Sequence, residues 1–215
     1  RKLKVTELNR LTPEAFKESK KIPLIVVLDH VRSLTRGFRV CTSDAFRVEA
    51  IYLCGITACP PNAEIHKTAL GAEETVDWEY FKDTGAVDKL RQEGYTVCAV
   101  EQAEGSVMLD NLQLDKTKKY AIVMGNEVKG VQQNVVDNCD ICIEIPQYGT
   151  KHSLNVSVTT GIVIWDFFKQ YQIKPFSTNT TTRSVMASLP FGSYSDFRLA
   201  PNIPAKNSKS PHGNF

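Results

Sequence analysis

No stretch of the 215 residues approaches the roughly 20 consecutive apolar side chains that a helix needs to cross a bilayer. The first residues hold no apolar core of signal-peptide type, so the expectation is a cytoplasmic protein without membrane contact. Charge of one sign is also scarce. With 26 Lys and Arg against 24 Asp and Glu the formal net charge is +2, so a nucleic-acid partner would have to be held by a local basic patch. The Gly-x-Gly-x-x-Gly turn of dinucleotide oxidoreductases is missing after the first apolar run, where Asp29 to Gly37 stands instead. Gly125 and Gly130 have a spacing that suggests a P-loop, but the Gly-Lys-Ser/Thr ending is absent and rejects it. A zinc ligand set is lacking too: Cys139-x-x-Cys142 has no second Cys or His pair at matching spacing, and no metal is expected. Together with Cys41, Cys54, Cys59 and Cys98, most of which sit in apolar contexts, these cysteines read as buried reduced thiols.

What is present is enough for one good core, since 42% of the residues are apolar. Residues 1–22 form a basic helical extension in which Leu11-Thr12-Pro13-Glu14 is a helix start. Apolar runs around Leu24, Ile51, Val97, Ile122 and Ile143 read as strands separated by helical stretches, which predicts an α/β fold with a mostly parallel sheet flanked by helices over residues 23–171. One of those stretches, Trp78 to Arg91, reads as an amphipathic helix with Trp78, Phe81, Val87 and Leu90 on its apolar face. After Tyr171 the chain turns to Ser, Thr, Asn and Pro without periodicity, and residues 172–215 are expected to be a disordered tail.

Two strand-to-helix junctions carry the chemistry. Tyr120 to Met124 is a continuous apolar run, and Gly125-Asn126-Glu127-Val128-Lys129-Gly130-Val131 follows it directly. There Gly125 would let a ligand approach the backbone, and Glu127 would be a fixed charge at the end of a central strand. In the second junction Ile141 to Ile145 is a strand, Pro146 to His152 a loop, and Ser153 to Lys169 a helix that opens with Ser153 and Asn155. An ordinary helix capped by Ser153 and a polar ligand site at the helix mouth both fit the second junction.

Together the blocks Met124-Gly125-Asn126-Glu127-x-x-Gly130-Val131, Ile145-Pro146 and Ser153-Leu154-Asn155-Val156-Ser157-Val158 resemble, in order and spacing, the second and third motifs of the SpoU (TrmH) family of RNA 2′-O-ribose methyltransferases, within the SPOUT superfamily. The resemblance runs over roughly residues 1 to 171 and is to compact members without a separate RNA-binding domain. It implies a C-terminal deep trefoil knot, S-adenosyl-L-methionine as cofactor, a tRNA or rRNA substrate, and a homodimer formed through the knot region. The residues it implies for the cofactor are Met124, Gly125, Ile145, Gln147 and Leu154. Catalysis would fall to Glu127, Ser153, Asn155 and an arginine of the first motif.

That first motif departs from the family pattern. Aligned on Thr42 to Phe46, the chain is one residue short and Cys41 occupies the place of the arginine, which leaves Arg39 as the candidate and Arg36 behind it. Arg39 sits two helical positions away, about 200° around the axis. A one-nucleotide shift of reading frame across Arg36 to Val40 would generate this text, and resequencing the source DNA tests that origin. A catalytically impaired RNA-binding member of the same fold is the alternative function.

Overall fold

The computed structural model describes residues 1–32, 36–69, 71–83 and 85–171. The expected disordered tail over 172–215 lies outside the described residues. In chain order the main elements are α1 (Pro13–Glu18), β1 (Ile22–Asp29), α2 (Arg36–Ala45), β2 (Val48–Cys54), α3 (Ala63–Ala69), β3 (Asp77–Phe81), α4 (Gly85–Gln92), β4 (Tyr95–Val100), β5 (Val107–Met108), β6 (Lys119–Met124), α5 (Gln133–Asn138), β7 (Ile141–Glu144) and α6 (Val156–Tyr171). The helix start read at residues 11–14 is realised: Thr12 caps α1 by accepting a hydrogen bond from Ala15 N–H at 3.2 Å, with Pro13 in the first turn.

The strands form one sheet in the order β3-β2-β1-β6-β4-β7-β5, and every pairing is parallel. The uninterrupted apolar runs lie at its centre because both faces there are covered. Alternate residues of β1 divide between two cores. Leu24, Val26 and Leu28 join Ile122, Met124, Val163, Ile164 and Phe167 on the α6 side, while Ile25 and Val27 join Ala86, Leu90, Val97, Val123 and Val135 on the α4 and α5 side.

The expected helix over Trp78 to Arg91 is two elements instead. Asp77-Trp78-Glu79-Tyr80-Phe81 is strand β3, in register with β2 from Ala50↔Asp77 to Cys54↔Phe81, and only Gly85–Gln92 is helical. Aromatic residues suit a half-exposed edge strand. The break after it is set by Asp83, whose Oδ1 accepts from Gly85 N–H at 2.8 Å and so starts α4.

Candidate functional site

Register places the site. Leu28 pairs with Met124, Met124 with Val100 and Val100 with Ile143, so the carboxyl ends of β1, β6, β4 and β7 lie level. Beyond the last three of them, the segments 101–104, 125–131 and 143–154 with the start of α6 enclose a cavity of 590 Å³. Open parallel sheets bind ligands at this edge.

The loop after β6 closes on itself. Asn126 N–H donates to Gly130 O at 2.9 Å and Gly130 N–H donates to Asn126 O at 2.8 Å, while Asn126 Oδ1 accepts from the N–H groups of Val128 and Lys129. Asn126 Nδ2 donates to His30 O at 2.8 Å, which ties the turn to the end of β1. A Cβ on Gly125 would lie 2.1 Å from both Gly130 C and Val131 N, so this glycine admits the loop's own backbone. The approach of a ligand expected there is thus preceded by the approach of residues 130 and 131. Glu127 points toward the first motif: its Oε2 accepts from Arg32 N–H at 3.0 Å across a separation of 95 residues.

The helix mouth also differs from expectation. The helix α6 begins at Val156, and Asn155, not Ser153, caps it, with Oδ1 accepting from Ser157 N–H at 2.8 Å and the carbonyl accepting from Thr159 N–H at 2.9 Å. Asn satisfies an exposed first-turn amide as well as Ser does. Ser153 is left in the loop, on the cavity wall.

Of the residues singled out from sequence, Met124, Gly125, Glu127, Ile145, Gln147, Ser153 and Leu154 all line the cavity. Asn155 stands next to it as the cap of α6. Arg39 lies within α2, but its side chain falls outside the described residues, as does that of Arg36. Cys41, where the family's arginine would be, donates its thiol to Ala69 O at 3.0 Å. Burial, and then the Asp44 and Glu73 carboxylates, raise its pKa, so the group is an uncharged thiol at neutral pH.

Two features were not foreseen. Glu101 and Gln102, read only as a loop, reach into both junctions: Glu101 Oε2 accepts from Val131 N–H at 2.9 Å, and Gln102 Nε2 donates to His152 O at 3.1 Å. At the end of β1, Asp29 is 1% exposed and accepts from Gln132 Nε2 at 2.9 and 3.0 Å, with His30 Nδ1 2.6 Å from its Oδ1. Gln132 and His30 thus satisfy its oxygens, and His30 takes a left-handed conformation (φ 52) with its ring against Gly55. Among the described residues no three His, Cys, Asp or Glu side chains gather as metal ligands, and no helix is long and apolar enough to cross a membrane.

Residues 23–165 match the SpoU rRNA Methylase family. The 23S rRNA (guanosine-2′-O-)-methyltransferase RlmB of Nitrosomonas europaea is 33% identical over 173 residues, covering 78% of this chain and 65% of the relative. The tRNA (guanosine(18)-2′-O)-methyltransferase TARBP1 of Mus musculus is 30% identical over 150 residues, which is 68% of this chain but 9% of that protein. The chain thus spans just under two thirds of this RlmB and a small part of TARBP1. Among solved structures, the A. aeolicus TrmH/SpoU tRNA modifying enzyme aligns with a TM-score of 0.63 at 30% identity, covering 74% of this chain and 79% of that one. The AdoMet-bound rRNA methyltransferase from Sinorhizobium meliloti aligns with a TM-score of 0.65 at 27% identity, covering 74% and 61%. The family match takes in both loops of the cavity and all seven strands but the first residue of β1, and by it the chain belongs to the SpoU rRNA methylase family.

Proposed function

We propose that the chain transfers a methyl group from S-adenosylmethionine to a ribose 2′-hydroxyl of tRNA or rRNA. The observation that carries this reading is the cavity at the carboxyl edge of the sheet, closed by the two loops whose text resembles the family's second and third motifs. Relatives named as guanosine 2′-O-methyltransferases of 23S rRNA and of tRNA support it. Residues and ligand are compatible: the volume of 590 Å³ falls in the range of small-molecule sites, and Met124, Ile145 and Leu154 supply apolar wall. Glu101, Glu104, Glu127 and Glu144 are among the lining residues, against Lys129, a balance that favours a cationic ligand.

When bound, the cofactor supplies an electrophilic methyl group on a positively charged sulfur. Met124, Gly125, Ile145, Gln147 and Leu154 hold it, while Glu127, Ser153 and Asn155 shape the approach of the hydroxyl. Glu127 does this through the backbone of Arg32, by fixing the first-motif loop against the cofactor loop. A hydroxyl ionises far above neutral pH, so a group must orient it for attack while its proton passes to solvent, and Arg39, a charged donor without an acceptor, is assigned the orienting role or a contact to the neighbouring phosphate.

The same reading gives the chain a deep trefoil knot, with Gly125 to Val131 and Ile145 to Leu154 as its loops and Ser153 to Lys169 as the segment that passes through, and pairs two chains through that region into a homodimer. Support for pairing comes from Val158, Ile162 and Trp165, which are spaced to share one face of α6 and are 52%, 37% and 51% exposed.

Calorimetric titration with S-adenosylmethionine, followed in the same preparation by methyl transfer to bulk RNA, tests the proposal. Binding with transfer supports it, and absence of binding overturns it. Binding without transfer would favour the second reading, an impaired RNA-binding member of the fold, for which the neutral, hydrogen-bonded thiol of Cys41 at the arginine position is the motivating observation.

A further inference from the structure

We propose that Glu101 and Gln102, the two residues that follow β4, are positioning residues that brace the cofactor loops against each other and thereby set cofactor affinity; the inference rests on the methyltransferase reading above. Their backbone is anchored by the sheet, since Glu101 N–H donates to Ile143 O at 3.1 Å and continues the pairing of β4 with β7 by one residue. From that fixed point both carboxylate oxygens are used. Oε2 accepts from Val131 N–H at 2.9 Å, where the loop after β6 ends, and Oε1 accepts from Gln102 N–H at 2.9 Å. Gln102 then reaches the other junction by donating Nε2 to His152 O at 3.1 Å. Two consecutive side chains thus tie together three stretches of the cavity wall.

Gly130 is the counterpart of this brace. Its φ is +69°, and a Cβ there would lie 2.1 Å from Glu101 Oε2, so the carboxylate fills the space that any other residue would need. A charged acceptor on a backbone N–H makes a bond roughly twice as strong as a neutral pair. Loops held in the bound shape before the ligand arrives do not have to be ordered at its expense, and affinity rises accordingly.

The test combines S-adenosylmethionine titration with amide hydrogen exchange at Val131 in wild type, Glu101→Ala, Glu101→Gln, Gly130→Ala and the double variant Glu101→Ala/Gly130→Ala. Glu101→Ala is expected to weaken cofactor binding by about tenfold to a hundredfold and to speed exchange at Val131, because it removes the charge-assisted bonds to Val131 N–H and Gln102 N–H. Glu101→Gln keeps one carbonyl oxygen for Val131 N–H but loses the charge and the second acceptor that serves Gln102 N–H, so it should recover part of the affinity. The backbone strain of Gly130→Ala is common to both backgrounds and cancels in the cycle, so the two losses should be clearly less than additive. Unchanged binding in Glu101→Ala, or losses that simply add, would overturn the brace. A wild type that binds no S-adenosylmethionine would overturn the methyltransferase reading and with it the positioning role, and the exchange rates would show separately whether Glu101 protects Val131.

Discussion

Gly125→Ala should open the loop that forms the floor of the cavity. The new methyl group would meet Gly130 C and Val131 N at 2.1 Å and Gly130 O at 2.3 Å. Unbonded carbon atoms settle at roughly 3.5 Å, so residues 130 and 131 would have to retreat by roughly 1.4 Å. All three obstacles are backbone atoms, and no side-chain rotation relieves them. The retreat breaks the reciprocal bonds between Asn126 and Gly130, now 2.9 and 2.8 Å. Overpacking costs about 1–3 kcal/mol and each of the two lost bonds about 0.5–1.5 kcal/mol, which gives a loss of about 2–6 kcal/mol in unfolding free energy. Urea denaturation measures that loss, and calorimetry on the same sample measures S-adenosylmethionine binding, which should fall with it. A variant of wild-type stability that has lost binding would refute the reasoning, because Gly125 would then serve the ligand's approach and not the closure of the loop. A variant unchanged in both would show that the loop does not close as described.

Three further outcomes are expected. Phe167 is fully buried and meets Tyr120 edge-on at 5.6 Å, so Phe167→Ala should cost about 3–5 kcal/mol by denaturation, and a loss below about 1 kcal/mol would contradict the packing of α6 on the sheet. Stability should decline at alkaline pH: burial, and then Asp29 and Asp83, push the Cys54 thiol from its ordinary value of 9.0 to about 12, and burial moves Cys98, Tyr95 and Tyr171 upward as well. The unfolded thiol loses its proton above about pH 9 while the folded one keeps it, so the contribution of Cys54 is complete below pH 9 and is lost between 9 and 12; melting temperatures that stay level from pH 8 to 11 would refute this. Val158→Asp, on the exposed face of α6, should convert the proposed homodimer to monomer in sedimentation velocity, and a dimer that survives the change would move the interface elsewhere.

Central strands were legible because burial on both faces demands continuous apolar text, as in Ile22–Asp29 and Lys119–Met124, whereas edge strand β3 was not. Its aromatic residues share the chain with Val87 and Leu90 at intervals that a helix also satisfies, and the local signal that separates the two is the short-range turn in which Asp83 accepts from Gly85 N–H. At the site, the motif loops could be located from text, but their closure could not. The bond from Val131 to Glu101 spans 30 residues and the one from Gln102 to His152 spans 50, and such long-range pairs leave no periodicity in a single sequence. The choice between Ser153 and Asn155 as helix cap was undetermined by residue type, since both are good caps and only the position of the first helical turn decides.

The strand order has a consequence during synthesis. Strand β1 is flanked by β2, which follows it within a few tens of residues, and by β6, whose Met124 pairs with Leu28 from 96 positions later in the chain. At translation rates of about 5–20 residues per second, one edge of β1 waits about 5–20 s for its partner. During that interval an apolar strand with unpaired backbone groups is open to other nascent chains. The sheet that later supports the cavity is therefore most exposed to aggregation before β6 leaves the ribosome, and chaperone supply or slower synthesis at low temperature should raise the yield of soluble protein.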